Sequence, residues 1–372
     1  MHEQPDERIS RRKIEHLEIC LNDQVDSSYK ALDDMVLIHD ALPEIDKDDI
    51  TIDKKFLSHD FKAPIIVNSI TGGHPETEIV NKNIARAIEL LGLGMSVGSQ
   101  RSAIKDPSME RTFKIARKEA PTAFISSNIG VQQLKELTKT DIEQIIDMID
   151  ADAIFVHLNF LQESIQSEGN KNAEGCLDEI EKLCDMVNIP VIVKETGAGI
   201  SRETCERLKD TKISAIDVEG SGGTSFSAVE YYRAKKEGNT ILADLGKDFW
   251  NWGIPTPISL LECHDIINIP IIGGGGVRNG IDVAKVIALG ADIAAIARPV
   301  VKPALKSDKE VLALLERYIE GLKITMFLTA CRRLDELREI PIVITGYLNE
   351  YLTLRGIDVR KLAQRKRSRY GH

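Results

Sequence analysis

The sequence predicts an α/β fold, a (β/α)8 TIM barrel, from its short apolar runs, the helical patterns between them and the number of repeats. The runs are rich in β-branched residues and apolar along their length, as parallel strands buried on both faces require. Eight runs occur, and they begin at Pro64, Leu93, Thr122, Ala153, Pro190, Ser214, Pro270 and Asp292. Eight strand–helix units favour a closed barrel, because open doubly wound sheets usually stop nearer six strands.

Amphipathic helical patterns lie between the runs. Clear examples cover residues 76–91, 107–119, 172–188, 201–210 and 280–289. The connection 238–268 is longer than a standard crossover and predicts an insertion after the sixth run. We therefore divide the chain into an N-terminal extension that contributes substrate-binding residues (1–60), a barrel (61–305) and a C-terminal helical extension with a basic tail (306–372).

Composition excludes several classes of function. The chain has 372 residues and a formal net charge of −10 at pH 7, which argues against nucleic acid as a partner. No apolar run reaches the roughly 18 residues of a membrane span, and the first residues lack the apolar core of a signal peptide. The six cysteines show no CxxC spacing, so we expect reduced thiols, no structural zinc and a cytoplasmic location.

Polar residues follow the apolar runs, at the positions where barrel enzymes carry their chemistry. They are Asn68, Ser69 and Thr71; Ser96, Ser99, Gln100 and Arg101; Asn128; His157, Asn159, Gln162 and Glu163; Lys194 and Glu195; and Asp217, Glu219 and Ser221. Any one of these residues could be an ordinary loop cap. The whole set indicates an active site at the C-terminal ends of the strands.

The last two runs precede a candidate phosphate site. Gly273 to Gly276 are followed by Arg278 and by a helix, and the eighth run ends at Arg298. Glycines let backbone N–H groups approach a phosphate, a helix N-terminus adds partial positive charge, and this fold often binds phosphate here. A second glycine-rich loop covers residues 219–226. We expect the two loops, together with Lys194, to hold a ribityl phosphate and an isoalloxazine ring.

Eight motifs, in this order and spacing, resemble the type 2, FMN-dependent isopentenyl diphosphate isomerases. They are RRKIEH (11–16), SITGG (69–73), SVGSQR (96–101), SSNIG (126–130), HLNFLQE (157–163), VKETGAG (193–199), EGSGGTSF (219–226) and GGGGVRNG (273–280). Two positions depart from the family pattern: Ile70 stands where methionine is common, and Phe226 where tryptophan is frequent.

The resemblance implies that isopentenyl diphosphate and dimethylallyl diphosphate are interconverted by a 1,3-proton shift, as a step of isoprenoid biosynthesis. Reduced FMN would serve as an acid–base cofactor, Mg2+ would bridge the diphosphate, and NADPH would reduce the flavin without net redox change. The resemblance also implies a homo-oligomer, a tetramer or octamer, and a small diphosphate substrate as the molecule it binds.

The same resemblance assigns residue roles. Gln162 and His157 would be catalytic, and Glu163 would bind Mg2+. The substrate would be bound by Arg12, Lys13, Ser99, Gln100, Arg101, Asn159 and Gln162. FMN would be bound by Ser69, Ile70, Thr71, Gly72, Ser99, Asn128, Lys194, Ser221, Thr224, Gly275, Gly276, Arg278, Ala297 and Arg298.

Two other functions stay open at this point. A 2-hydroxy acid oxidase shares the barrel and the phosphate site, but the sequence lacks the His-x-x-Arg pair that such oxidases use. A non-catalytic flavin-binding protein would have no need of Gln162 together with Glu163. The basic run at 11–13 is either a solvated surface or a diphosphate clamp, in its own or a neighbouring subunit. The tail from Arg360 to Arg369 indicates a solvated terminus.

Overall fold

Twelve strands occur in residues 5–366, the part of the chain that the computed structural model describes; side chains are described from Arg12 onward. They are β1 (Met35–Leu37), β2 (Lys54–Phe56), β3 (His59–Phe61), β4 (Ile65–Val67), β5 (Gly94–Ser96), β6 (Phe124–Gly130), β7 (Ala153–Leu158), β8 (Val191–Glu195), β9 (Ala215–Asp217), β10 (Ile271–Gly273), β11 (Ile293–Ile296) and β12 (Ile342–Ile344). Strands β4 to β11 form a closed parallel barrel in chain order, and β11 pairs with β4. The predicted eight-stranded barrel is confirmed, and each apolar run supplies one strand.

Sixteen α-helices occur in the same residues. They are α1 (Pro5–Asn22), α2 (Glu78–Leu91), α3 (Arg101–Lys105), α4 (Arg111–Glu119), α5 (Lys139–Asp147), α6 (Phe160–Ile165), α7 (Cys176–Met186), α8 (Arg202–Leu208), α9 (Phe226–Lys236), α10 (Thr240–Asp248), α11 (Thr256–His264), α12 (Gly280–Ala288), α13 (Arg298–Lys306), α14 (Asp308–Leu328), α15 (Gly346–Leu354) and α16 (Val359–Ala363). Each of the five predicted helical patterns contains a helix, and the pattern at 107–119 begins with a 3-10 turn, Pro107–Met109.

The long connection after β9 contains three helices. Helix α11 packs against β10 and α8, so it is the crossover helix of this unit. Helices α9 and α10 pack on each other, and α9 also contacts α1 and α6. The predicted insertion after the sixth run is therefore present, but its bounds differ from 238–268: the additional elements are α9 and α10, so it begins earlier and does not include α11.

The ring of helices is completed by α14, which lies against α2, α12 and α13. Strand β1 from the N-terminal part pairs antiparallel with β12 from the C-terminal part, with Val36 opposite Val343. Side chains of both terminal parts join the main apolar core, from Leu32 to Leu362. The three-part division at 60 and 305 remains a proposal about the chain's organisation. Residues 1–4 and the tail end 367–372 lie outside the described residues.

The N-terminal end of the barrel is closed by the β2–β3 hairpin. Phe56 and Phe61 are almost fully buried and contact each other edge to face, with ring centroids 6.0 Å apart. They pack on Phe124 and on the inward-facing side chains of the barrel strands, including Phe155. The barrel is therefore sealed at this end, and a ligand can enter only from the opposite end. No helix among residues 5–366 has both the length and the apolarity needed to cross a membrane.

Closure of the barrel by the β2–β3 hairpin predicts that two alanine substitutions differ greatly in their effect on stability. We expect Phe61→Ala to lower the free energy of unfolding by about 3–5 kcal/mol, because it removes a buried ring and leaves a cavity. Urea denaturation followed by circular dichroism measures the change. The control is Leu354→Ala, whose side chain is 80% exposed and should cost about 0.5 kcal/mol or less. Equal losses in the two variants would contradict the sealing role.

Candidate active site

A cleft opens at the C-terminal ends of the barrel strands, beside α1, which lies against α3, α9 and α13. Its volume is about 1630 Å3, counting the open solvent at its mouth. The predicted site residues that line it are Arg12, Lys13, Ser69, Ile70, Ser99, Arg101, Asn128, His157, Asn159, Gln162, Glu163, Lys194, Thr224, Gly275, Gly276, Arg278, Ala297 and Arg298. Helix α1 contributes a single face to the wall, and Arg12 and Lys13 reach the cleft of their own chain.

Gln100 does not line the cleft, contrary to the expectation that it binds substrate. Its side chain is fully buried, and its amide nitrogen donates to the Ile145 carbonyl at 2.9 Å. Its amide oxygen accepts from the backbone N–H of Asn128 at 3.1 Å. Gln100 therefore positions Asn128 and ties it to α5, because the loop after β5 turns this side chain inward.

Three residues predicted to bind FMN also lie outside the cleft wall. Thr71 is buried, and its carbonyl accepts from the backbone N–H of Gly98 at 3.0 Å. Gly72 packs so closely on Phe113 that a Cβ would lie 2.2 Å from the ring. Ser221 faces two smaller cavities beside the cleft. These residues shape the loops behind the wall instead of forming it.

Gly275 and Gly276 bring bare backbone to the cleft. Their φ angles are +99° and +83°, in the region that favours glycine. A Cβ on Gly275 would lie 2.0 Å from the Gly220 carbonyl oxygen, and one on Gly276 would lie 2.8 Å from the Gly222 carbonyl oxygen. Thr256 supports the turn from behind, since its hydroxyl donates to the Gly275 carbonyl at 2.7 Å. The two glycine-rich loops therefore touch, and neither tolerates a side chain here.

The helix start that faces the cleft belongs to α13 and not to α12, which the sequence favoured. The first N–H groups of α12 are occupied, because the Asn279 side chain accepts from Ile281 and Asp282 at 2.8 and 3.0 Å. Helix α13 follows Ala297 and has no side-chain cap among the described residues. A helix N-terminus without such a cap is a natural anion site.

Arg278 and Arg298 stand beside this helix start and share one carboxylate. Asp26 accepts from Arg278 Nη2 at 2.5 Å through Oδ1 and from Arg298 Nη2 at 2.7 Å through Oδ2. The predicted arginines are thus brought together by a residue that sequence reasoning missed. No motif surrounds Asp26, and its role depends on the folding of residues 25–27 over the barrel.

Buried charges lie at the cleft floor, where Lys194 and Glu219 line it, and directly behind it, where Asp217 is buried. Lys194 Nζ donates to the Glu195 carbonyl at 2.5 Å. The Asn68 amide donates to Asp217 at 2.6 Å and also to Glu219. Burial raises the pKa of Asp217 well above its usual range, and the nearby charge of Glu219 adds to this shift. Burial likewise raises the pKa of Glu219, so the pair holds a proton more tightly than isolated carboxyls do.

Glu195 organises the loop that follows β8. Its Oε2 accepts from the backbone N–H groups of Thr196 at 2.6 Å and Gly197 at 2.7 Å. Burial raises the pKa of Glu195 to about 7, although these backbone donors favour the charged form. The side chain supports the cleft wall from outside and does not line the main cleft.

His157 is held in the cleft as a neutral ring. Its Nδ1 lies 2.9 Å from Asn128 Oδ1, so Nδ1 carries the proton in the tautomer that satisfies the amide oxygen. Burial lowers the pKa of His157 to about 3, and the positive charges of Lys194, Lys13 and Arg12 contribute. A ring of this kind accepts or donates a hydrogen bond but is a weak base.

Gln162 is oriented by a second residue that the sequence analysis missed. Its amide nitrogen donates to Glu230 Oε1 at 2.8 Å, and the same oxygen lies 3.1 Å from His16 Nε2. Burial opposes ionisation of Glu230, but His16, Arg233 and Gln162 together lower its pKa to about 2. His16 lies within the RRKIEH motif and could have been noticed. Glu230 lies in α9 outside every motif.

Glu163 and Asn159 stand one helical turn apart at the start of α6. Asn159 Nδ2 donates to Glu163 Oε1 at 2.9 Å, and Glu163 Oε2 accepts from the Asn170 backbone N–H at 2.6 Å. No group of three or more candidate metal ligands occurs among the described residues. A single carboxylate suits a Mg2+ ion that keeps water and phosphate oxygens as its other ligands.

The cation pair of α1 lies at the other side of the cleft. Arg12 Nη1 donates to Gln166 Oε1 at 3.3 Å and lies 3.5 Å from Glu168 Oε1. Burial, together with the charge of Arg12, lowers the pKa of Lys13 to about 7. An anion bound between them would raise that pKa again, so binding of an anion should be accompanied by uptake of a proton above about pH 7.

The surroundings of His157 predict that its ring stays neutral over a wide range of pH. We expect its imidazole NMR signals to stay constant from about pH 5 to pH 9, because a pKa of about 3 keeps the ring neutral throughout. His157→Gln identifies the signals. Lys194→Met should move the pKa of His157 upward by removing a neighbouring positive charge. A titration midpoint near the usual value of about 6.5 in the unaltered protein would contradict the assignment.

Comparison with known proteins gives a consistent result for family and fold. Residues 137–343 match the model of the FMN-dependent dehydrogenase family. Two solved structures resemble this fold: a mandelate oxidase variant with a monooxide FMN adduct and a Pediococcus acidilactici protein assigned as a lactate oxidase. Their TM-scores are 0.61 and 0.62, both at 18% identity, over 92% and 93% of this chain and 100% and 96% of theirs. At this identity they confirm the barrel fold alone.

Closer relatives cover almost the whole chain. The isopentenyl-diphosphate delta-isomerase of Methanosarcina barkeri is 49% identical over 356 residues, covering 95% of this chain and 97% of the relative. That of Archaeoglobus fulgidus is 46% identical over 347 residues, covering 93% and 99%. These matches, together with the FMN-dependent family model, confirm the resemblance drawn from the motifs. The chain therefore belongs to the family of type 2, FMN-dependent isopentenyl-diphosphate delta-isomerases.

Proposed function

We propose that the protein interconverts isopentenyl diphosphate and dimethylallyl diphosphate by a 1,3-proton shift, with reduced FMN and Mg2+ bound in the cleft. The observation that supports this proposal is one cleft with groups suited to anions at two of its sides. Arg278, Arg298 and the α13 N-terminus lie at one side, and Arg12 with Lys13 lies at the other. NADPH as the reductant, a cytoplasmic location and an assembly of four or eight chains remain predictions from the sequence.

The cleft residues fit FMN. The turn at Gly275 and Gly276 has no room for a Cβ and leaves backbone beside the α13 N-terminus, which suits a phosphate. Lys194 lies on the floor, where its charge would stabilise an anionic ring edge. Ser69, Asn128 and Thr224 supply the polar groups for the ring. Reduced FMN, when bound, would supply an acid–base group and an electron-rich face for the alkene.

The remaining residues fit a diphosphate ester with a reactive alkene. An alkene is a very weak base, so moving its double bond requires groups that place it accurately and exclude water. Arg12, Lys13, Ser99 and Arg101 would hold the diphosphate, with Glu163 and Asn159 beside the Mg2+ ion. Gln162 would lie at the reacting end of the substrate.

The state of the cleft side chains also suits a cation-like transition state. His157 is neutral and hydrogen-bonded to Asn128, so it adds no positive charge near the alkene. Gln162, fixed by Glu230, offers an amide dipole and is not a nucleophile that would trap a carbocation. Both residues would orient the substrate, and Gln162 would either relay a proton or hold the alkene end.

An oxidase function is less well supported, although the solved structures with this fold include lactate and mandelate oxidases. None of the eight histidines in the sequence is followed three positions later by arginine. Neutral His157 is also a poor base for abstracting a proton from a 2-hydroxy acid.

The proposed reaction can be tested directly. The purified protein is incubated anaerobically with isopentenyl diphosphate, Mg2+ and chemically reduced FMN, and the product is identified by NMR. We expect dimethylallyl diphosphate, and the reverse conversion from that product. Absence of conversion in both directions contradicts the isomerase proposal, and consumption of a 2-hydroxy acid under air would instead support an oxidase.

A single substitution tests the metal role of Glu163. We expect Glu163→Gln to lower kcat/KM by at least about tenfold, with a higher Mg2+ requirement, because the carboxylate that holds the ion loses its charge. FMN binding, measured by fluorescence quenching, should not change. The matched control is Glu174→Gln on the exposed loop before α7, which should leave both unchanged. Normal Mg2+ dependence in Glu163→Gln would contradict this role.

A further inference from the structure

The segment that carries Asp26 is fixed on the second glycine-rich loop. The backbone N–H of Ser27 donates to the Gly223 carbonyl, and that of Ser225 donates to the Val25 carbonyl, both at 2.8 Å. The indole N–H of Trp250 donates to the carbonyl of Asp26 itself at 3.0 Å. The backbone that carries the Asp26 carboxylate is therefore held in place, because the residues on both sides of it are hydrogen-bonded to the barrel.

Asp26 also compensates the repulsion between two arginines at the phosphate site. Arg278 and Arg298 are partly buried, with 32% and 26% of their side chains exposed, and two adjacent guanidinium groups repel each other. Asp26 lies between them and takes one N–H from each. A guanidinium has five N–H donors, so both arginines keep donors for a phosphate.

Arg298 also contacts the C-terminal end of α1. Arg298 donates a second N–H, from Nη1, to the carbonyl of Cys20 at 3.1 Å, two residues before α1 ends. A cation is favourable at the C-terminal end of a helix, where carbonyl groups are unsatisfied. Arg12 and Lys13 lie on the cleft face of this helix. One arginine thus contacts both the phosphate site and the helix that carries the diphosphate-binding cations.

We propose that Asp26 is a positioning residue for the cofactor phosphate, and that it couples occupation of the phosphate site to docking of α1 over the diphosphate site. The inference rests on the proposed FMN and diphosphate sites. A bound phosphate restrains the two guanidinium groups, which Asp26 holds together. Arg298 is in turn linked to α1 through the Cys20 carbonyl, and α1 then presents Arg12 and Lys13. Because coupling between sites is reciprocal, a diphosphate must strengthen FMN binding by the same factor.

Ligand selectivity tests the positioning role. FMN and riboflavin, which lacks the phosphate, are titrated into unaltered protein, Asp26→Asn and the matched control Asp23→Asn, whose side chain is not hydrogen-bonded to either arginine. We expect the Kd of FMN to rise about tenfold in Asp26→Asn only, with the Kd of riboflavin unchanged. Equal weakening of both ligands would show a merely structural role and overturn the inference. Failure of the unaltered protein to bind FMN would overturn the proposed function itself.

Hydrogen exchange tests the coupling to α1. We expect FMN, but not riboflavin, to slow amide exchange in residues 12–22 by several-fold, and Asp26→Asn to abolish this difference. Inorganic pyrophosphate with Mg2+ should bind about five- to tenfold more tightly when FMN is present. Arg298→Met provides a second variant that leaves Asp26 intact, and it should remove the same protection. Protection that persists in both variants would overturn the coupling.

Discussion

Closure of the barrel is the constraint on which the rest of the structure depends. Pairing of Ile65 with Ala294 and of Val67 with Ile296 joins the last strand to the first, so no strand edge is left. All eight strands are parallel, and their C-terminal ends therefore meet on one side. Residues as distant in sequence as Asn68 and Asp217 come within 2.6 Å only because the ring is closed. The hairpin with Phe56 and Phe61 closes the other end, so chemistry is confined to the open one.

The cleft is built from buried charges that compensate one another. Asp26 accepts hydrogen bonds from two arginines, and Lys194 lies near Asp217 and Glu219. Glu230 is surrounded by His16, Gln162 and Arg233. Burying a single charge without a partner is costly. The carboxylates of Asp26 and Glu230 have cationic partners, whereas the Asp217–Glu219 pair holds a proton more tightly instead. The cleft can then receive anionic ligands although the whole chain carries a net charge of −10. The local arrangement of cations, and not the overall charge, decides which ligand is bound.

Sequence reasoning succeeded where a local pattern has a local cause. The eight apolar runs became strands because parallel strands buried on both faces need continuous apolar residues. The glycines at 275 and 276 bring bare backbone to the cleft, as their motif suggested, and they do so at positive φ. It failed where side-chain direction matters. Gln100 lies in a motif with Ser99 and Arg101, yet the loop turns it into the interior toward Asn128. The helix start at Asn279 looked suitable for phosphate, but its own side chain caps it.

The sequence by itself determined the barrel, the order of its strands, the two glycine-rich loops and the family, because these features depend on periodicity and on motifs that lie along the chain. The tertiary structure decided which of the candidate residues share one cleft. It also supplied Asp26 and Glu230, which no motif had marked, and it joined Asn68 to Asp217 and Glu219. These partners come from segments that are far apart in sequence. They can compensate the charges of the site residues because electrostatic interaction depends on distance in space and not on distance along the chain. No local pattern in the chain records that distance.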